Sequence, residues 1–321
     1  MRTTGGPAVT ADLTVRRVRF DLAADDIPFI WQPERPLFSV TTNYMSFIAP
    51  GFENMIVDAT REAIPLMSDP EAIAEANLFL RQEAQHSSAH IRHINALIRR
   101  YPGLQETFDE LMDSYKQLTA TKPLLWRLAY TAVLENTFTP YFSVYLNHED
   151  KLFRPGDDRV ASLFLWHFCE EIEHRSSAMV VYNAVHAGFA YRLRAIASVV
   201  KHISATTAMV SRGFQAHVPA EEGGCYGALL PEGITFKGIG GARRARKRLR
   251  QGADQAMWAG VPRREILTMI VGLIRSQGPH ALHTDEDVPM FAHQWFRRYN
   301  ADPTAVSHWY TARTDNPITP A

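Results

Sequence analysis

Cysteine is all but missing from this chain, with only Cys169 and Cys225 among 321 residues. Two thiols so far apart form no disulfide framework and no thiolate metal site, and such sparing use points to a reducing, cytoplasmic setting. Net charge is missing as well. Lys+Arg and Asp+Glu stand at 34 each, so nothing global draws the chain toward nucleic acid or a polyacid partner. Long apolar runs are absent too. The long uncharged stretch 176–191 still contains Asn183 and His186, and no membrane-spanning helix is expected. The first twenty residues lack the apolar core of a secretory leader. What is present, 46% hydrophobic and 21% charged residues, is enough to bury a substantial core.

Helical signals dominate. Residues 1–13 read as a small, polar lead-in, and VRRVRFDL (15–22) alternates apolar and basic residues like a short strand or extended arm. TTNYMSFIA already permits a helix, and after Pro50-Gly51 the spacing of Phe52, Met55, Ile56 and Ala59 predicts one over 52–65. Further helices are predicted over 70–101, with Asp69 as cap, then 104–118, 122–147 with a bend at Pro140, 157–188 and 191–217. The stretch 219–241 is a Gly/Pro-rich linker, 241–251 a basic helical segment and 265–276 a short apolar helix, while the last forty residues read as aromatic and irregular. The expected fold is all-α: a four-helix bundle (41–217) with additional helices, an N-terminal arm (1–40) and a C-terminal extension (218–321).

Two Glu-x-x-His motifs stand out, Glu83-His86 and Glu171-His174. With 18 glutamates and 13 histidines in the chain, roughly one such pair is expected by chance, so the bare motif is weak. Its setting strengthens it. Residues three apart on a helix share a face and can reach one metal, and both motifs sit in apolar helix centres where an unpaired carboxylate is costly. A lone glutamate precedes each: Glu53 in GFENMIVDA and Glu135 in YTAVLENTF. That alternation is the donor order of a dimetal carboxylate bundle, and it makes Glu53, Glu83, His86, Glu135, Glu171 and His174 the candidate ligands and catalytic residues.

Other residues flank the six. His167 precedes Glu171 by four and could add a third imidazole, and His90 mirrors it four after His86. Either could instead be a hydrogen-bond partner or a core histidine. Glu170 is placed to orient His174, Glu173 is read as facing outward, and His93 and Cys169 as structural. Tyr130, Phe138, Phe142, Trp166 and Met179 are candidates for lining a substrate pocket. A hard, carboxylate-rich donor set suits two iron ions, with manganese possible at one or both positions. Such a centre can activate dioxygen or activate water for hydrolysis.

The stretches VRRVRFDL, FLRQEAQHSSAH, AVLENTF and LWHFCEEIEHRSSAMVVY resemble a bacterial family described as predicted metal-dependent hydrolases, strongly over 14–215. The ligand order is that of ferritin-like di-iron oxygenases. The pattern His167-xxx-Glu171-xx-His174 is similar to the p-aminobenzoate N-oxygenase family, which implies a ligand role for His167. Asn136 follows Glu135 where many relatives have histidine, implying a different local pocket. These likenesses imply a non-haem di-iron oxygenase or oxidase acting with O2 on a small organic substrate, served by an external electron donor such as a ferredoxin or reductase. The alternative is a dinuclear metal-dependent hydrolase, and a third reading is a non-catalytic metal-storage protein. A homodimer is compatible with the sequence. So is peripheral membrane contact through the basic residues of 243–250, the 191–215 helix and EILTMIVGLI.

Overall fold

The computed structural model describes residues 13–24, 26–185, 188–229, 257–258, 260–279 and 288–311, and among these every long regular element is an α-helix. The expected basic helix over 241–251 lies outside the described residues. No helix among them is long and apolar enough to cross a membrane.

Helix α1 spans Pro36–Ala63 and runs unbroken through Pro50, where the sequence suggested a break. Proline inside a helix costs about 3 kcal/mol. Against this, α1 buries Phe38, Phe47, Phe52, Met55 and Ile56, each contributing about 1.5–3 kcal/mol. Burial wins. Gly51 serves the same packing, since a Cβ there would lie 2.4 Å from Tyr115 Cδ2. Helix α2 (Pro70–Arg100) begins as predicted: Asp69 accepts from Glu71 N, a cap worth about 1 kcal/mol. Helices α3 (Leu104–Thr121) and α4 (Leu124–Asn147, continuous through Pro140) follow, then the short α5 (Glu149–Phe153).

The helix expected over 157–188 is two helices. Asp157 caps α6 (Asp158–Glu173), a turn occupies 174–176, and α7 spans Ser177–Val185. Ser177 N donates to His174 O at 2.8 Å, and Ser177 Oγ donates to Glu75 on α2 at 2.6 Å. Serines offer the backbone such alternatives to helix continuation, and here the alternative is tied across the bundle. Helix α8 covers Phe189–His217, α9 Arg263–Arg275 and α10 Met290–Ala301. The last of these corrects the expectation of an irregular C-terminal region: Phe291, Ala292 and Trp295 bury one face.

Four walls enclose the core. α1 packs on α2 and α4, α4 on α6 and α7, and α6–α7 return to α2. α3 and α8 lie outside this ring, α9 rests on α4, and α10 on α4 and α6. Residues 13–24 form no strand. They run extended with Leu13, Val18, Phe20 and Leu22 buried and Arg17, Arg19 and Asp21 exposed. The alternation was legible, but the arm packs by side chains without a sheet partner.

Candidate metal centre

Each wall delivers one part of the predicted set. Glu53 comes from α1, Glu83 and His86 from α2, Glu135 from α4, His167 and Glu171 from α6, and His174 from the turn that ends α6. All seven are at least nine-tenths buried. Their donor atoms fall into two overlapping groups, Glu53–His86–His167–Glu171 and Glu83–His86–Glu171–His174, each with its atoms within 4.8 Å of one another. Glu135 stands beside the second group, its Oε2 3.5 Å from His174 Nδ1.

Glu171 is the hub. Its Oε1 lies 2.8 Å from His167 Nε2 and 3.4 Å from His86 Nδ1, and its Oε2 lies 3.6 Å from His174 Nε2. Glu83 Oε1 reaches His174 Nε2 at 3.1 Å, and Glu53 Oε1 stands 3.5 Å from His167 Nε2. So much carboxylate in so little volume is electrostatically unfavourable by itself. Burial and then the neighbouring carboxylates hold Glu53, Glu83 and Glu135 well above the ordinary carboxylate range, and burial also raises Glu171. Burial pushes His167 and His174 down to about 3.

A metal fits these residues. Both oxygens of Glu83, Glu53 Oε2, Glu135 Oε1, Glu171 Oε2, His86 Nδ1 and both ring nitrogens of His174 are buried without a hydrogen-bond partner. Buried polar atoms are ordinarily paired, and unpaired ones cost about 1–3 kcal/mol each. So many orphaned lone pairs in one cluster are explained by cations, which use lone pairs where a hydrogen-bonded core would have satisfied them. Divalent cations would also offset the charge of the four carboxylates.

The imidazoles are held from outside in different ways. His86 Nε2 donates to Glu170 Oε2 at 2.9 Å, leaving Nδ1 facing Glu83 and Glu171. Glu170 therefore orients His86, whereas the sequence reading assigned it to His174; α6 ends at Glu173, and Glu170 faces α2. Behind Glu170 stands Arg16 of the arm, 3.3 Å from its Oε1 and bonded at 2.7 and 2.8 Å to both oxygens of Glu173. Glu173, expected to face outward, is thus held inward, with Gln82 Nε2 donating to it at 2.7 Å.

On the other flank, His167 Nδ1 meets His90 Nε2 at 2.6 Å, and Ser46 Oγ bridges His90 Nδ1 and His93 Nδ1 at 2.8 Å each. Both nitrogens of His90 are engaged there, so it supports His167 and offers no lone pair to a metal. With Nδ1 occupied, His167 presents Nε2 to Glu53 and Glu171.

Aromatic rings close the surroundings. Phe79 lies 5.0 Å from His174, Trp166 5.0 Å from His86, and Phe142 6.4 Å from His167, measured between ring centroids. Of the expected pocket residues, Trp166 and Phe142 adjoin the centre. Tyr130 belongs to a separate cluster with Phe52, Trp126 and His202, and Phe138 packs between Phe52 and Phe142. Asn136 donates to Ser276 O at 3.0 Å and so fastens the end of α9 to α4. Arg16, Gln82 and Ser46 escaped the sequence reading; no local spacing marks residues that act across the fold.

Fold and site together define a helical-bundle protein with a buried carboxylate–imidazole centre suited to metal. The chain belongs to the family described as predicted metal-dependent hydrolase, whose model matches residues 14–223 and ends before α9 and α10. No curated protein and no solved structure matched.

Proposed function

We propose that this chain is a dinuclear metal enzyme in which Glu53, Glu83, His86, Glu135, His167, Glu171 and His174 hold two ions. The observation that carries the reading is that the two donor groups overlap at Glu171, whose two carboxylate oxygens can serve neighbouring ions, while the one free nitrogen of His86 serves either ion but not both. Bound there, iron would supply redox chemistry with dioxygen, and a redox-inert ion would supply water activation.

The protein's own part is common to both chemistries. Glu170, with Arg16 behind it, fixes the ring of His86, and His90 fixes that of His167. Phe79, Phe142 and Trp166 give the centre apolar surroundings, which strengthen its electrostatics. Such outer partners tune ligand orientation and basicity.

Two finer readings divide on one question, whether electrons are consumed. The oxidative reading is an O2-dependent di-iron oxygenase or oxidase acting on a small organic substrate, with a ferredoxin or reductase as electron donor. It rests on the hard carboxylate-rich donors and their buried, aromatic setting. The hydrolytic reading is a dinuclear metal-dependent hydrolase, and the family's description favours it.

Oxygen uptake by iron-loaded protein with a chemical reductant, run beside anaerobic hydrolysis assays on manganese- and zinc-loaded protein, separates them. Reductant-dependent oxygen consumption that disappears in Glu171→Ala supports oxidation. Anaerobic turnover with zinc, without oxygen uptake at full iron occupancy, overturns it in favour of hydrolysis.

A further inference from the structure

Charge in this neutral chain is unevenly distributed. Between 189 and 275 lie fourteen basic and five acidic residues, six of the basic ones being Arg243, Arg244, Arg246, Lys247, Arg248 and Arg250. Helix α8 has no acidic residue at all. The one acid on α9, Glu265, is turned inward to His148 at 2.6 Å.

Helix α9 has two apolar faces. Met269 is buried, Ile266 and Leu273 pack on the core, and Gly272 sits against Pro140 of α4, where a Cβ would come within 2.7 Å of the proline ring. The opposite face carries Leu267, Ile270, Val271 and Ile274, spaced i, i+3, i+4, i+7, and they are 62%, 44%, 45% and 71% exposed. That spacing makes a single stripe. Arg263 and Arg264 at one end and Arg275 at the other flank it, all exposed.

Further exposed apolar residues lie on α8. Arg192 donates to Gly278 O at 2.7 Å, which sets the end of α9 beside the start of α8. There Phe189 and Leu193 are exposed on one face, with Val200 further along it and the exposed Arg194 and Lys201 alongside.

We propose that α9, with the first turns of α8, is a docking surface for an anionic lipid bilayer, on which the protein lies. An apolar stripe flanked by arginines, on a helix too short to span, is the pattern of an interfacial helix. Its charge selects the occupant: an anionic surface complements the five exposed basic residues Arg194, Lys201, Arg263, Arg264 and Arg275, whereas a second copy of the chain would bring the same cations into contact with themselves. Basic residues near an anionic leaflet each contribute to binding, and salt screens them.

The experiment is co-sedimentation of the full chain with phosphatidylcholine vesicles, with and without phosphatidylserine. The expected result is binding to the phosphatidylserine vesicles alone, lost at high salt and lost in Leu267→Glu with Ile274→Glu. Arg263→Gln with Arg264→Gln should weaken partitioning roughly fivefold per arginine. The substituted side chains are exposed, and circular dichroism with metal content confirms that each variant is folded. Absence of binding to phosphatidylserine vesicles, or undiminished binding by the glutamate variant, overturns the proposal. So does a dimer, seen by light scattering, that Ile274→Glu splits while no vesicles are bound, because the stripe would then be a self-association face.

Discussion

His86 and His167 stand in the same centre, their ring centroids 4.4 Å apart, yet they are supported by opposite chemistries. Behind His86 is an ionic stack: Glu170, Arg16 and Glu173, with Arg16 lying over Phe296 at 4.5 Å. Behind His167 is a chain of neutral groups, His90, Ser46 and His93. A carboxylate accepting from one ring nitrogen enriches the other as a donor, and an imidazole does so much less. The same residue type is therefore tuned to two strengths within one site, and the two metal positions proposed above would be inequivalent.

The strongest way to break this arrangement is at the member the two sides share. Glu171→Ala removes a donor from both groups and should lower affinity for Mn2+ by more than roughly 100-fold, beyond the effect of losing an outer partner. Isothermal titration that still shows two sites would refute the hub role of Glu171. Next comes Glu170→Gln, expected to weaken binding roughly 10- to 100-fold through His86. On the neutral side Ser46→Ala loses hydrogen bonds worth about 1 kcal/mol, so about fivefold weaker binding is expected. Equal losses from Glu170→Gln and Ser46→Ala in the same titrations would erase the contrast between the flanks.

A smaller effect follows from pH. In metal-free protein His167 and His174 are pushed down to about 3, so the unfolded chain binds more protons until about pH 6.5, and their contribution rises with pH up to there. Glu53, Glu83, Glu135 and Glu171 are pushed up, so the folded chain binds more protons above about pH 4.5 and their contribution falls as pH rises through their folded values. Above about pH 6.5 only the carboxyl effect remains. Metal displaces those protons, so the gain in Tm on adding Mn2+ should be larger at pH 8 than at pH 6.5. An equal gain at both would mean that the carboxyls do not titrate with metal binding.

What the sequence revealed and what it concealed follow from range. Asp69, Pro70 and the 3.6-residue spacing made α2 legible because capping and periodicity are local. The alternation of Glu53, Glu83-His86, Glu135 and Glu171-His174 was legible because all but His174, one residue past the end of α6, lie on helices of one bundle. The turn at 174–176 was not, because it depends on Glu75 gripping Ser177 from another helix. Pro50 misled, since its local cost is outweighed by burial that only the folded core provides. The direction of Glu170 was hidden for the same reason: its partners are His86 and Arg16, 84 and 154 residues away.

Arg16 has one more consequence, and it concerns time. It joins the arm near the start of the chain to Glu170 and Glu173 in α6, and its guanidinium is covered by Phe296 and Tyr299 from α10. Contacts spanning some 280 residues close slowly compared with helices and helical hairpins. The bundle can therefore form its walls first and gain the full grip on His86 only when both outlying segments arrive. In a refolding experiment, helical signal should recover before high-affinity metal uptake, and the interval between them measures the closing of that clasp.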